Sequence, residues 1–179
     1  FATLNAGKQS IALDLKAEAD RATFGKLLAR ADVVVENYRP GVMERLGYGW
    51  EALRLQHPRL IYAAVSGFGQ TGPDALKPAY DMVVQARGGV MSITGETGGP
   101  PVRVGASIGD IVAGMYLAQG VLAALYDRER TGKGSFVDVA MLDAQVAIQE
   151  HAVALASATG VAPGPTGANS PMRWPRACA

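Results

Sequence analysis

Cysteine is almost absent from this chain of 179 residues: the single one, Cys178, sits one place from the C-terminus. A lone thiol excludes an internal disulfide framework and a cysteine-based metal site, and it fits a reducing, cytoplasmic compartment. Histidine is nearly as scarce. His57 and His151 stand alone, outside any H-E-x-x-H pattern, so a zinc-protease site lacks its carrier and no metal is expected. A dominant charge is missing too: 17 Lys and Arg against 16 Asp and Glu leave a formal +1, which gives no broad attraction for nucleic acid or an anionic membrane. Any anionic ligand must be held by local contacts. The longest uncharged apolar stretch, Ile111 to Tyr126, is broken by Gly114 and Gly120 and falls short of the roughly 18 residues of a spanning segment. It reads as a buried helix, and no membrane partner is expected. The chain opens on Phe1 with neither an initiator Met nor a charged and apolar leader, so the expectation is an internal piece of a longer protein.

What is there suits one soluble globular unit. With 49% hydrophobic positions the chain can bury a sizeable core. Ser10 to Leu15 alternates polar and apolar residues like a strand, and Glu18 to Ala31 carries Ala22, Leu27 and Leu28 at helical spacing. Val33 to Glu36 is a short β-branched run. Trp50 to Gln56 reads as a helix ending before Pro58, and Leu60 to Ser66 as an apolar strand bounded by Gly67. Gly67 to Pro78 and Gly95 to Gly109 are loops by composition, separated by a helix over Tyr80 to Arg87 that ends at Gly88-Gly89. A helix over Ile111 to Arg130 follows, with Arg128 and Arg130 in its last turn and Gly132 just beyond. Gly134 to Ala140 reads as a strand and Leu142 to Thr159 as one last apolar helix. Strands alternating with helices predict a parallel α/β layer over residues 1–160, followed by a Pro-, Gly- and Arg-rich tail over 161–179.

Several patterns carry candidate chemistry. Asp110 follows Gly105-Ala-Ser-Ile-Gly109 and precedes the apolar helix, which predicts the N-cap position. An aspartate there either accepts backbone N–H bonds and nothing more, or is a carboxylate whose reaction products meet oriented donors. Position alone leaves both readings open. The same run matches G-x-S-x-G around Ser107, but a hydrolase needs a histidine on a loop, whereas His151 falls inside an apolar helical pattern. Gly67-Phe-Gly-Gln-Thr-Gly72 matches G-x-G-x-x-G. Its last glycine should open a helix, and Pro73 and Pro78 deny one, so a dinucleotide fingerprint fails on context. Asn37-Tyr38-Arg39-Pro40-Gly41 ends a strand and leads to Arg45, either as a solvated turn or as a ligand loop at a strand C-terminus.

Taken in order, Leu4-Asn5-x-Gly7-Lys8, Leu13-Asp14-Leu15-Lys16, Asp32-Val33-x-Val35-Glu36-Asn37-Tyr38-Arg39-Pro40-Gly41 and Ser66-Gly67-Phe68-Gly69 resemble the N-terminal part of family III CoA-transferases. The likeness continues through Tyr80-Asp81, Gly99-Pro100-Pro101, Gly105 to Asp110 and Arg130-Thr131-Gly132-Lys133-Gly134 into Val137-Asp138-Val139, covering nearly the whole chain. The resemblance implies a Rossmann-like parallel sheet with flanking helices, an incomplete fragment of that family's fold. It implies CoA transfer from an acyl-CoA thioester to a small carboxylic acid, with Asp110 as nucleophile through an aspartyl anhydride and an aspartyl-CoA thioester. It further implies CoA contacts at Leu13, Asp14, Leu15, Lys16, Asn37, Tyr38, Arg39, Arg45, Pro78, Ala79, Tyr80 and Asp81. CoA and acyl-CoA are substrates, no cofactor is tightly bound, and the full-length parent is expected to be an intertwined homodimer.

Two features depart from the family pattern. Pro78 stands where relatives carry Lys, with Lys77 one place earlier. The related α-methylacyl-CoA racemases use a His where this chain has Tyr80, and a phenol with an ordinary pKa near 10 is a poor proton shuttle at neutral pH, which favours transfer over racemisation. The remaining alternative is an inactive CoA-binding or oligomerising remnant, because the later glycine-rich loop that shields the anhydride in the family has no counterpart here.

Overall fold

The computed structural model describes residues 3–169. Cys178 and the last ten residues, 170–179, lie outside these, so the expected tail is described only as far as 169. In chain order the elements are α1 (Glu18–Leu28), β1 (Val33–Glu36), α2 (Val42–Leu46), α3 (Trp50–Gln56), β2 (Ile61–Ser66), α4 (Asp81–Arg87), α5 (Ile108–Thr131), β3 (Phe136–Ala140), α6 (Met141–Ala147) and α7 (Glu150–Thr159). Short 3₁₀ turns cover Thr3–Asn5 and Val90–Ile93.

The three strands form one parallel sheet in the order β1-β2-β3, as the alternation of strands and helices predicts. Val34 pairs with Tyr62 and Tyr62 with Phe136; Glu36 pairs with Ala64 and Ala64 with Asp138. Side chains alternate across each strand, so the register divides the core in two. On one face Tyr62 and Ala64 pack with Leu28, Met43, Tyr48 and Leu53 from the α1 to α3 side. Phe136 lies on the same face, edge-on to Tyr62 at 5.4 Å between ring centres and stacked on Trp50 at 6.0 Å. On the other face Val65 and Val139 meet Val84, Val112, Ala113, Met141 and Ala144 from α4, α5 and α6. Helices cover both faces, which is why β2 is apolar almost without interruption.

Some elements differ from the sequence expectation. Ser10 to Leu15 forms no strand. Asp14 instead folds its own chain into a turn, its carboxylate accepting the Lys16 N–H at 3.0 Å and its carbonyl the Ala17 N–H at 2.9 Å. Helix α1 stops at Leu28, where Ala31 N–H already bonds the Leu28 carbonyl in a tighter i to i−3 turn. The final apolar helix is two helices. At the break, Gln149 Nε2 donates to the Gly88 carbonyl and to the Gln145 carbonyl, both at 2.7 Å, and ties the bend to the end of α4.

Helix α5 is longer than its apolar stretch suggested and, by length and composition alone, could cross a bilayer. It lies against the sheet with Val112, Ala113, Leu117 and Ala124 buried, but Ile111, Met115, Leu122 and Tyr126 are exposed, so it is half-covered instead of fully buried. Its C-terminal end is pinned by Arg128, 8% exposed, whose guanidinium bonds Asp32 Oδ1 at 2.9 Å and the Arg59 carbonyl at 3.2 Å. The start of α5 is thereby held over the C-terminal edge of the sheet.

Candidate active site

Parallel strands end together, and the chain leaving each of them builds a crevice at that edge. Here the Asn37–Pro40 segment after β1, Val65 to Gly67 at the end of β2 and Met141 just after β3 surround a cavity of about 430 Å³. The opposite wall is Lys77 to Tyr80 together with Asp110, Ala113 and Gly114 of α5. Asn37, Tyr38, Arg39, Pro78, Ala79, Tyr80 and Asp110, separated by up to 73 positions in the sequence, therefore share one concave surface.

Local contacts fix these walls. Asn37 Nδ2 donates to the Val65 carbonyl at 2.6 Å, tying the tip of β1 to β2, while Glu36 accepts the Tyr38 N–H at 2.7 Å. Burial raises the Glu36 carboxyl above its ordinary range, opposed by that backbone bond and reinforced by Glu44 and Asp138. Gly67 allows the two walls to meet, since a Cβ there would collide with the Cβ of Ala79. This close approach gives the first glycine of the G-x-G-x-x-G match a packing reason. Lys77 lines the cavity but pairs with Asp74 at 2.6 Å. Asp74 also takes Arg87, and these two cations hold its carboxyl below the usual range.

Asp110 is not an N-cap. Helix α5 starts at Ile108, Ser107 occupies the cap position without a side-chain capping bond, and Asp110 is the third helical residue. The cap comes from outside the segment. Asp81, 9% exposed, accepts the Gly109 N–H at 2.8 Å through Oδ1 and Gln85 Nε2 at 2.8 Å through Oδ2. Gln85 in turn accepts the Val104 N–H at 2.8 Å and fastens the loop that delivers α5. Gly109 is required by this closeness: a Cβ would lie 2.6 Å from Val84 Cγ2 and 3.0 Å from Asp81 Oδ1. The glycine of the G-x-S-x-G match thus serves helix packing, and His151 lines a separate cavity with Ile93 and Leu155.

The Asp110 side chain is exposed at the rim, yet its carboxyl is raised above the ordinary value, first by burial and then by the nearby Asp81 charge. Its anion sits in the first turn of a helix, where the macrodipole favours negative charge, but lacks full solvation. Acylation of such a group removes the charge its surroundings oppose. The arrangement is suited to a nucleophilic carboxylate that needs no general base.

Not every expected contact lies at this cavity. Asp81 does not line it; its carboxylate accepts from Gly109 and Gln85 and pairs with Arg103 at 4.0 Å. Leu15 packs against the α1 to α3 core, Asp14 and Lys16 are exposed in their turn, and Arg45 is exposed with its guanidinium near Gly41. Conversely, Ser66, Met141, Ala113 and Gly114 line the cavity without having been singled out from sequence. The last two follow Asp110 by three and four positions, one face of a helix, and the first and second lie at strand ends, so periodicity and the strand-end rule could have found them. Among the described residues no group of three His, Cys, Asp or Glu side chains is placed to hold a metal.

Similarity to known proteins places the chain in a family. The chain is 52% identical over 176 residues to the acetyl-CoA:oxalate CoA-transferase of Acetobacter aceti, and 44% identical over 179 residues to the succinyl-CoA:mesaconate CoA-transferase of Haloarcula hispanica. Each alignment takes in 98% of this chain but 45% of the relative, so the chain spans less than half the length of these curated relatives. A crystal structure of a CAIB/BAIF family protein from Brucella suis superposes with a TM-score of 0.88 at 37% identity, covering 91% of this chain and 43% of that one. The model of CoA-transferase family III matches residues 1–178, and with these likenesses the chain belongs to that family.

Proposed function

We propose that the protein carrying this chain transfers CoA from an acyl-CoA thioester to a small carboxylic acid, with Asp110 as the covalent carrier. The observation that carries the proposal is the meeting of Asp110 with Asn37 to Arg39 and Pro78 to Tyr80 around one cavity at the strand C-termini. Arg39 at the mouth is available to the CoA phosphates, and the Asn37 segment to its adenine or pantetheine amides.

The steps balance without a proton shuttle. The Asp110 carboxylate attacks the thioester carbonyl, the C–S bond breaks, and CoA leaves as thiolate from a mixed anhydride. The thiolate then attacks the aspartyl carbonyl carbon, releasing the donor acid as carboxylate and leaving an aspartyl-CoA thioester. An incoming acid anion attacks that thioester, and the returning thiolate takes the new acyl group, restoring Asp110. The named relatives act with oxalate or mesaconate, which supports a small dicarboxylic acid as acceptor.

Turnover is tested by isotope exchange between labelled acid and acyl-CoA, which should fall by at least about three orders of magnitude in Asp110→Ala, as for loss of a covalent nucleophile. Exchange that persists in this variant refutes the assignment. The exposed Ile111, Met115, Leu122 and Tyr126 on α5 support a homodimer, and light scattering of the protein carrying this chain at micromolar concentration should report twice the monomer mass. A monomer at all concentrations contradicts that assembly.

A further inference from the structure

Gln85 on α4 and Gln145 on α6 are each 0% exposed, but their amides are used differently. Gln145 Oε1 has no hydrogen-bond partner, whereas both ends of the Gln85 amide are engaged. Gln85 Oε1 accepts the Val104 N–H at 2.8 Å, and its Nε2 donates to Asp81 Oδ2 at 2.8 Å and to the Ala106 carbonyl at 3.4 Å. Burying a neutral amide costs free energy unless it is bonded, and here every bond goes to the segment entering α5 or to the carboxylate that caps Gly109.

Resting on the proposed function, we infer that Gln85 is a positioning residue for Asp110, its amide fixing where α5 begins and so the direction from which the carboxylate meets a thioester. Three observations carry this. First, the entering segment does not fix its own helix start, since Ser107 at the cap makes no side-chain capping bond. Each helical residue turns the chain by about 100°, so a start displaced by one position would swing Asp110 away from the cavity. Second, an apolar side chain of similar size could fill the same space, but only directional bonds from one planar amide hold Val104, Ala106 and Asp81 in a single arrangement. Third, Gln85 does not line the cavity, so it reaches Asp110 through the loop and through Asp81, never through a bound ligand. Its loss should therefore alter the geometry of attack and spare binding.

The test uses the protein carrying this chain, with acetyl-CoA as donor and oxalate as acceptor, the pair named for the Acetobacter relative. Gln85→Met, similar in length and without the amide, should lower kcat by about ten- to a hundredfold, the cost of misplacing a reacting group by roughly an ångström. Calorimetry should give it a CoA affinity within about twofold of wild type, since the cavity walls are untouched. Leu53→Ala, in the core on the other face of the sheet, controls for lost stability: assayed below its melting transition, it should keep the wild-type kcat. Gln85→Glu gives a second reading that does not require the methionine variant to fold. Protonated, its carboxyl repeats the acceptor for Val104 and a donor for Asp81; ionised, it opposes Asp81, which pairs with Arg103 at 4.0 Å and already acts on Asp110. Its kcat relative to wild type should rise by about tenfold as pH falls from about 8 to about 5. An unchanged kcat in Gln85→Met, an equal fall in Leu53→Ala, a CoA affinity that falls together with kcat, or a pH-independent ratio in Gln85→Glu overturns the inference and leaves the proposed function standing. A wild type that transfers nothing between this pair, or an Asp110→Ala variant that keeps transfer, defeats the proposed function, and the inference with it.

Discussion

Replacing Asp81 should loosen the start of α5 and change the chemistry of a carboxylate it never touches. The Asp81 carboxylate accepts two hydrogen bonds, from Gly109 N–H and Gln85 Nε2, each at 2.8 Å and nearly out of solvent. Bonds to a charged acceptor contribute about 1.5–3 kcal/mol each, and Asp81→Ala strands both donors. Against this, removing a buried charge relieves its desolvation and its repulsion of Asp110, at the loss of a long ion pair with Arg103 at 4.0 Å. The net loss should be about 2–4 kcal/mol. Asp81→Asn keeps an oxygen for Gly109 but turns an NH₂ toward Gln85. Rotating Gln85 to answer it would take its oxygen from the Val104 N–H, so one bond is lost either way, about 1–2 kcal/mol.

Both substitutions also remove the second cause of the raised Asp110 carboxyl, leaving burial as the first. The Asp110 titration should move down toward the ordinary range without reaching it. Urea melts measure the stability differences, and carboxyl-carbon NMR titration follows Asp110. A loss below about 0.5 kcal/mol in Asp81→Ala, the level of an ordinary surface substitution, refutes the capping argument. An Asp110 midpoint that stays fixed in both variants refutes the electrostatic one.

Two further outcomes follow from the same geometry. Because the Asp110 carboxyl is raised in the folded chain, the folded state holds its proton longer than the unfolded one, and stability falls as pH rises through that window. Asp110→Asn should therefore be at least as stable as wild type near neutral pH, with the gap closing below the ordinary carboxylate pKa; thermal melts across pH 3–8 showing the opposite trend contradict this. Gly109→Ala should cost about 1–3 kcal/mol in denaturant melts, since its methyl meets Val84 and Asp81, and an unchanged midpoint would show that α4 and α5 can part freely.

Much of this was legible in the sequence, for reasons that can be traced residue by residue. Ile61 to Ser66 shows as a strand because both sheet faces are covered there, which forces a nearly unbroken apolar run, whereas Val33 to Glu36 shows by its β-branched residues alone, Val35 being exposed. Gly132 marked the end of α5 because it takes a left-handed conformation there, with φ at 72°. The strand expected over Ser10 to Leu15 failed because alternation cannot report whether a neighbouring strand exists to pair with. Asp110 was set at the cap, whereas it is the third residue of the helix. Its true cap is Asp81, 29 positions earlier, a contact made by tertiary packing that no local pattern encodes.

The central claim is that Asp110 takes the acyl group from the thioester, and trapping that adduct tests it most directly. The protein carrying this chain is incubated with acyl-CoA and hydroxylamine, digested with trypsin, and the Val104–Arg128 peptide sequenced by mass spectrometry. Conversion of Asp110 to its hydroxamate, dependent on acyl-CoA and absent from Asp110→Ala, is the predicted result. Modification confined to another residue, or none while that protein binds acyl-CoA, would contradict it.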